Sequence, residues 1–283
     1  MKNKDEIRWI QLSDLHMFDS TEVIRQKKAL FNQFCGTIDF FVITGDLHQY
    51  GTDYTLTKIF LEELIAEMEI EKKDIIIVPG NHDIKSDNKR KEIINNIGKN
   101  IEMNPDAYLK NMNQLLHAYD QYKRFLNDFY GVNINKTDIL NNYIYVWDDI
   151  ISILCLNTTL ISDENHHKPQ IIDIYGLEKI RNKVVPCIAI MHHDYYAISD
   201  IQKPFIQARF KELGVSATLS GHRHRYTTNI IELENGDSIP NYCCAKSVSE
   251  PGDLWSDVGF IEYRWKKDEK EVKVIPYEPG FSD

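Results

Sequence analysis

The chain has 283 residues, 42% of them hydrophobic and 27% charged, with a formal net charge of −10. This composition is typical of a folded globular protein, and the negative charge argues against a broad basic groove for nucleic acid or an anionic membrane. No apolar run approaches the roughly 18 residues of a membrane helix, and the charged start contains no secretory segment. The five cysteines lack metal-type spacing, and three lie in apolar runs, which favours reduced thiols and a cytoplasmic location.

Strands and helices alternate in the first part of the chain. In order, they are predicted as the strand Ile7–Ser13, the helix Thr21–Phe34, the strand Asp39–Thr44, the helix Leu56–Met68 and the strand Asp74–Val78. This order favours parallel strands joined by right-handed crossovers. The loops that follow the three strands are therefore expected at one edge of a sheet.

The remainder of the chain begins with a polar helical stretch and continues with more strands. We interpret residues 84–142 as a helical insertion, or cap, packed over the sheet edge, and residues 1–283 as one domain. The later elements are predicted as a hairpin (Tyr143–Trp147 and Ile151–Leu156), a helix (Gly176–Arg181), a strand (Val184–Met191), a helix (Phe205–Leu213) and a strand (Ala217–Leu219). Residues 226–283 form a β-rich final part of the same domain, predicted as an antiparallel sheet.

Metal-ligating residue types follow five of these strands. They are Asp14 and His16, Asp46, Asn81 and His82, His192 and His193, and His222 and His224. One such residue is more often a turn former or a helix cap, but five successive strand ends of this kind favour a shared site. Imidazole, carboxylate and amide oxygen suit Mn, Fe, Zn or Ni, and the lack of cysteine fits poorly with structural zinc. The number of ligands favours two metals.

The motifs at these strand ends resemble those of a known family. Asp14-x-His16, Gly45-Asp46, Gly80-Asn81-His82-Asp83, His192-His193 and Gly221-His222-x-His224 are similar, in the same order, to the five motifs of calcineurin-like metallophosphoesterases. The resemblance covers residues 7 to about 226. Gly45-Asp46-Leu47, with Gly51 following, resembles the class III cyclic-nucleotide phosphodiesterase branch. The Asp-Arg-Gly of the protein phosphatases is missing, which disfavours a Ser/Thr protein phosphatase.

The resemblance implies a fold and a set of residue roles. The fold is a four-layer α/β/β/α sandwich of two mixed sheets with flanking helices, and a dinuclear site lies at one edge. Asp14, His16 and His224 would hold the first metal. Asn81, His192 and His222 would hold the second, and Asp46 would bridge the two. His82 would lie outside the metal ligands, where it would hydrogen-bond the phosphate or protonate the leaving oxygen, and Asp83 would orient His82.

Two positions stay open in this assignment. The fourth motif lacks a proline that the family often has, so His193 is the alternative to His192; we favour His192 because it follows the strand directly. Arg223 lies between two ligands, where it either contacts phosphate or points to solvent, as strand alternation suggests.

The expected function is a cytoplasmic phosphodiesterase that hydrolyses a small or nucleotide-like phosphodiester by a hydroxide bridging two divalent ions. Mn²⁺ is the favoured metal, with Fe, Zn and Ni as alternatives. A phosphomonoesterase with the same site is the first alternative. A nuclease related to double-strand-break repair nucleases is the second, disfavoured by the short, acidic chain. A scaffold without catalysis is the third, disfavoured by the intact ligand set. No membrane partner is expected, and no motif indicates an oligomeric state.

Overall fold

The structure is a computed structural model that describes most of the chain. It covers residues 5–17, 32, 34, 37–100, 108–131, 142–162, 169–182, 184, 186–233, 236–247, 259–267 and 272–277. The predicted helix Thr21–Phe34 lies outside these residues except for Asn32 and Phe34. None of the helices in the described ranges is long and apolar enough to cross a membrane.

The described elements are a mixture of strands and helices up to residue 220 and are strands afterwards. The strands are β1 (Glu6–Leu12), β2 (Phe40–Ile43), β3 (Ile75–Ile77), β4 (Tyr143–Trp147), β5 (Ile151–Cys155), β6 (Cys187–Ile190), β7 (Val215–Ser220), β8 (Thr227–Glu232), β9 (Ser238–Cys243), β10 (Phe260–Lys266) and β11 (Val272–Tyr277). The helices are α1 (Thr55–Met68), α2 (Asn88–Asn100), α3 (Met112–His117), α4 (Asp120–Tyr130), α5 (Ile174–Lys179) and α6 (Lys203–Leu213).

The strands form two mixed sheets. The first has the order β11-β10-β1-β2-β3, in which β1, β2 and β3 are parallel and β10 is antiparallel to both of its neighbours. The second has the order β4-β5-β6-β7-β9-β8, in which the four central strands are parallel and the edge strands β4 and β8 are antiparallel to theirs. The predicted fold class of two mixed sheets with flanking helices is confirmed.

Three apolar clusters hold the layers together. Side chains of successive residues in a strand point to opposite faces, so Trp9 faces the second sheet and Ile10 faces the helices. Between the sheets, Trp9 stacks on Phe40 and on Tyr263, with ring centroids 5.4 and 5.2 Å apart. Helices α1 to α4 contribute to the cluster on the outer face of the first sheet, and α5 and α6 to that of the second. The layer order is therefore helices, sheet, sheet, helices.

The final part of the chain corrects one prediction. Residues 226–277 do not form one antiparallel sheet, because β8 and β9 extend the second sheet while β10 and β11 extend the first. In addition, β9 pairs in parallel with β7. The alternation of polar and apolar residues identified strands correctly, but it carries no information about which sheet each strand joins.

The helical stretch that begins near residue 84 covers the first sheet and its edge. In the described part, α2, α3 and α4 bury Ile94, Leu115, Phe125 and Phe129 against the outer face of this sheet. Strand β3 is the edge strand, and its outward carbonyl groups find partners in this helical stretch and in strand β4. The hydroxyl of Tyr130 donates to the carbonyl oxygen of Ile75 at 2.6 Å, and that of Tyr143 donates to Ile77 at 3.3 Å.

Candidate metal centre

The five loops with ligand-type residues meet at the seam between the two sheets. They follow β1, β2 and β3 in one sheet and β6 and β7 in the other. Backbone hydrogen bonds connect the loops of the first sheet, from the Asp14 N–H to the Gly45 carbonyl at 3.0 Å and from the His16 N–H to the Asp46 carbonyl at 2.9 Å. The His192 ring crosses the seam, with Nδ1 2.8 Å from the Thr44 carbonyl oxygen. The predicted strand ends therefore converge.

Five of the expected ligands have an unusual backbone conformation. Asp14, His16, Asp46, His222 and His224 have φ between 43° and 69°, in the left-handed region that side chains other than glycine seldom adopt. Sharp local turns of this kind let both residues of an Asp-x-His or His-x-His pair point toward the cluster of candidate ligands, although His222 and His224 fall in different groups of it. Such conformations are costly and are concentrated at functional sites.

Two glycines of the motifs are needed because other atoms lie very close to them. A Cβ on Gly80 would lie 2.0 Å from Oδ1 of Asp46 and 2.2 Å from its amide nitrogen. A Cβ on Gly221 would lie 1.8 Å from Oγ of Ser13. Ser13 in turn donates to Oδ2 of Asp14 at 2.5 Å. These glycines allow the loops to approach each other closely enough to share ligands.

The first group of candidate ligands consists of Asp14, His16 and His224. Oδ2 of Asp14 accepts hydrogen bonds from Ser13 and from the backbone N–H of His222, so Oδ1 faces the two imidazoles. It lies 3.2 Å from Nε2 of His224 and 3.9 Å from Nε2 of His16. The two Nε2 atoms are 3.3 Å apart. One carboxylate oxygen and two imidazole nitrogens around one point fit a divalent cation.

The second group includes Asn81 and His192 and shares Asp46 with the first. Nε2 of His192 is 2.8 Å from Oδ1 of Asn81 and 3.3 Å from Oδ2 of Asp46. The same Oδ2 is 3.8 Å from Nε2 of His16. Asp46 thus lies between the two groups, where a bridging carboxylate is expected. His222 joins this side, with a ligand atom within 4.8 Å of those of His192 and His193.

His192 and His193 differ in their surroundings. His192 uses Nδ1 to contact a backbone carbonyl and turns Nε2 toward other ligand atoms, which is the usual arrangement of a metal-bound histidine. His193 has a hydroxyl near each nitrogen, Thr158 Oγ1 at 3.2 Å from Nδ1 and Ser162 Oγ at 3.4 Å from Nε2. His193 nevertheless belongs with His192 and His222 to one group of possible ligands, so the choice of His192 stays a prediction.

Comparison with known proteins identifies the family of the chain. Residues 7–226 match the model of a family described as calcineurin-like phosphoesterase. The chain belongs to this family. A curated relative, the "uncharacterized metallophosphoesterase-like protein YydB" of Bacillus subtilis (strain 168), is 30% identical over 294 residues. The match covers 96% of this chain and 59% of YydB, so the chain spans less than two thirds of that relative.

Solved structures are similar at a lower level. A protein titled "GAP50 the anchor in the inner membrane complex of Plasmodium" is 14% identical, with 99% of this chain and 87% of that chain covered and a TM-score of 0.47. A metallophosphoesterase from Sphaerobacter thermophilus is 10% identical, with 96% and 88% covered and a TM-score of 0.38.

The phosphoesterase motif Gly80-Asn81-His82-Asp83 corrects one predicted contact. Asp83 was expected to orient the His82 ring, but Nδ1 of His82 lies 2.8 Å from the carbonyl oxygen of Gln49 instead. The buried Asp83 carboxylate accepts hydrogen bonds from the backbone N–H groups of Gly80, Leu47 and His48 and from the Tyr54 hydroxyl. Asp83 does not reach the His82 ring because these donors, from its own loop and from the loop after β2, occupy its carboxylate. Asp83 is thus a loop-fixing residue.

The buried charges of the phosphoesterase site shift one another's pKa values. Burial alone raises the pKa of Asp46, but His192, followed by His16 and His82, lowers it well below its usual value. Burial lowers the pKa of His192, yet Asp46 outweighs burial and the net pKa rises to about 9. Burial, reinforced by the charge of Asp46, raises the pKa of Asp83 to about 7. The carboxylate ligands are thus held ionised, as metal binding requires.

A cavity of about 470 Å³ opens over the phosphoesterase site. It is lined by Asp46, His82, Asp194, Ala197, His222, Arg223 and His224. Arg223 faces this cavity, where Nε lies 2.6 Å from Oδ2 of Asp194. Strand alternation does not apply to Arg223, since the residues on both sides of it have positive φ. Sequence reasoning missed Asp194, although its position directly after the two histidines was a usable signal.

Proposed function

We propose that this phosphoesterase is a phosphodiesterase that acts on a small or nucleotide-like phosphodiester with the help of two divalent metal ions. The observation that carries the proposal is the pair of neighbouring ligand groups that share Asp46. Two ions a few ångströms apart need such a shared carboxylate, whereas a single tetrahedral site would need only one group.

The residues present fit two ions. Asp14, His16 and His224 would hold one ion, and Asn81, His192 and His222 would hold the other. Bound divalent ions supply positive charge to the phosphate oxygens and lower the pKa of a water molecule toward neutrality. All of these ligands are nitrogen or oxygen donors, which suits Mn²⁺, Fe or Zn better than a thiol-preferring metal.

His82 is the proposed general acid. Its Nδ1 lies against the Gln49 carbonyl oxygen, which can only accept, so Nδ1 carries a hydrogen. Nε2 is then the nitrogen that can give a proton to the leaving oxygen, and His82 lines the cavity over the site. Proton transfer from a positioned side chain typically contributes about 10²- to 10⁴-fold to the rate.

The preference for diesters rests on the second motif and on the cavity. Gly51, with φ of 60°, packs where a Cβ would lie 2.9 Å from the backbone of His82 and Asp83, which explains a glycine at this position. Gly45-Asp46-Leu47 and this glycine resemble the cyclic-nucleotide phosphodiesterase branch. A cavity of about 470 Å³ also has room for a second ester substituent.

The test compares two model substrates. Protein stripped with EDTA receives Mn²⁺, Fe²⁺, Zn²⁺ or Ni²⁺, and hydrolysis of bis(p-nitrophenyl) phosphate is compared with that of p-nitrophenyl phosphate. We expect metal-dependent turnover that favours the diester and is lost in Asp46→Asn and in Asn81→Ala. His117→Ala, which changes an exposed histidine in α3, is the control and should keep full activity.

Each other outcome has a definite meaning. Preference for the monoester would assign the site to a phosphomonoesterase. Faster cleavage of single-stranded DNA than of the model diester would favour the alternative function, a nuclease. Full activity in Asp46→Asn would contradict the shared carboxylate.

A further inference from the structure

Arg223 is held in the wall of the cavity by a buried carboxylate. Asp194 is 1% exposed, and its Oδ1 accepts a hydrogen bond from the backbone N–H of Ala197 at 3.0 Å. Its Oδ2 lies 2.6 Å from Nε of Arg223. Because Asp194 is fixed by the backbone at one oxygen, it holds the inner edge of the guanidinium in one place.

The outer edge of the same guanidinium remains available. Within the described residues, the Arg223 side chain pairs with Asp194 alone, through Nε, and is 48% exposed. Nη1 and Nη2 therefore present up to four N–H donors to the cavity side. Arg223 is also the only lysine or arginine among the seven residues that the structure places around this cavity.

Arg223 lies farther out than the centre of the proposed reaction. The Asp46 side chain is 1% exposed, and His192 is fully buried, so the scissile phosphate would sit at the bottom of the cavity. Arg223 stands at the rim with an exposure of 48%. A cavity of about 470 Å³ has space between these two levels for more than one phosphate group.

We propose that Arg223, positioned by Asp194, forms an anion subsite that binds a second negatively charged group of the substrate, a phosphate or a carboxylate, beyond the scissile phosphate. This inference rests on the proposed phosphodiesterase function and narrows its substrates to diesters with an additional anionic group. The planar guanidinium matches the two oxygens of such a group in a way that an ammonium does not.

The experiment uses two substrates that differ by one phosphate. One is thymidine 5′-(p-nitrophenyl phosphate), and the other is its 3′-phosphorylated derivative. The wild-type protein with Mn²⁺ should prefer the 3′-phosphorylated ester in kcat/KM. Arg223→Gln should lower kcat/KM for that ester by about 10- to 100-fold, the range expected for lost hydrogen bonds to a charged group. The same substitution should change kcat/KM for the ester without the 3′-phosphate by less than about twofold.

Control variants separate the subsite from general effects. Arg225→Gln removes an exposed arginine two positions along the same loop and should leave the preference intact. Arg223→Lys keeps the positive charge but loses the planar pair of N–H donors, so part of the preference for the 3′-phosphorylated ester should be lost. An equal loss for both esters in Arg223→Gln would place the side chain on the scissile phosphate and overturn the proposal.

A binding measurement distinguishes failure of the subsite from failure of the proposed function. Calorimetry compares thymidine 3′,5′-bisphosphate with thymidine 5′-monophosphate. If neither ester is hydrolysed but Arg223→Gln abolishes tighter binding of the bisphosphate, the subsite stands and the phosphodiesterase proposal is wrong. If the wild-type protein binds both nucleotides equally, the subsite is wrong whatever the activity.

Discussion

Close contact between Gly80 and Asp46 makes Gly80 a position where a small substitution should disturb the site directly. In Gly80→Ala, the new methyl group would meet Oδ1 and the amide nitrogen of Asp46. We expect loss of metal from the protein and of activity, because Asp46 must move away from both ligand groups. Metal content per chain and hydrolysis of the model diester are the measurements.

Gly131→Ala is the matched control for this substitution. Gly131 ends α4 with φ of 69° and has no atom within 4 Å of an added Cβ. The exchange should cost about 1 kcal/mol of stability because of the left-handed backbone but leave the metal content unchanged. Equal metal loss in both variants would show that the Gly80 effect is not local.

The two adjacent histidines allow a second prediction at this scale. His192→Ala should retain about one ion per chain instead of two, since Nε2 of His192 faces Asn81 and Asp46. His193→Ala should retain both ions, because its nitrogens face Thr158 and Ser162. Metal analysis after gel filtration measures this directly. The reverse pattern would assign the ligand role to His193.

Residue identities at the strand ends were predictable because parallel strands bring their carboxyl ends to one edge. The hydrogen-bond and ion-pair partners of Asp83 and Arg223 could not be predicted from the sequence. Asp83 is satisfied by backbone groups of a loop more than 30 residues away, and no local pattern reports such a contact. Arg223 faces the cavity only because His222 and His224 have positive φ, which a strand pattern does not reveal.

The edge strand β3 depends on two tyrosines that cover its free carbonyl groups. Tyr130→Phe removes the hydroxyl that donates to Ile75 and leaves a buried acceptor without its partner. We expect the free energy of unfolding to fall by about 1–3 kcal/mol. Urea denaturation measures it. Tyr50→Phe, at a side chain that is 64% exposed, is the control and should change stability by less than about 0.5 kcal/mol. Equal stability of all three proteins would refute this role of Tyr130.

Most strands and helices could be predicted from periodicity, but the sheet that each strand joins could not. The predicted helix Leu56–Met68 and the hairpin at Tyr143 agree with α1 and with β4 and β5 to within a residue. The predicted strand Val184–Met191 begins later, at Cys187, because Pro186 has no N–H for the ladder. The separation of β8–β9 from β10–β11 depends on long-range packing.

The two sheets each supply part of the ligand set, so bound metal should tie them together. The first sheet carries Asp14, His16, Asp46 and Asn81, and the second carries His192, His222 and His224. A ligand that binds only the folded protein stabilises it by about 2.7 kcal/mol at one hundred times its Kd. We therefore expect Tm to rise when Mn²⁺ is added to EDTA-stripped protein and the rise to disappear in Asp46→Asn. An unchanged Tm of the wild-type protein would argue against metal binding across the seam.

The burial of the cysteines gives a prediction that does not depend on metal. Cys155, Cys187, Cys243 and Cys244 are buried, and burial raises the pKa of Cys155 and Cys187 to about 12 and that of Cys243 to about 11. Since the thiolate is the reactive form, these thiols should resist alkylation near pH 8. In Cys35→Ser, iodoacetamide should modify none of them in the folded protein and all four in guanidinium chloride. Rapid labelling of the folded variant would contradict this burial.

The pairing of β1 with β10 has a consequence for how the chain matures. Glu6 lies opposite Lys266, and Gln11 lies opposite Ile261, so β1 is paired with a strand that lies far along the chain, between β1 and the edge strand β11. Until β10 is available, the edge of β1 opposite β2 has no pairing partner. Contacts this distant along the chain slow folding and leave unpaired edges exposed. The first sheet can therefore close only when two segments 254 residues apart, at Arg8 and Glu262, have come together.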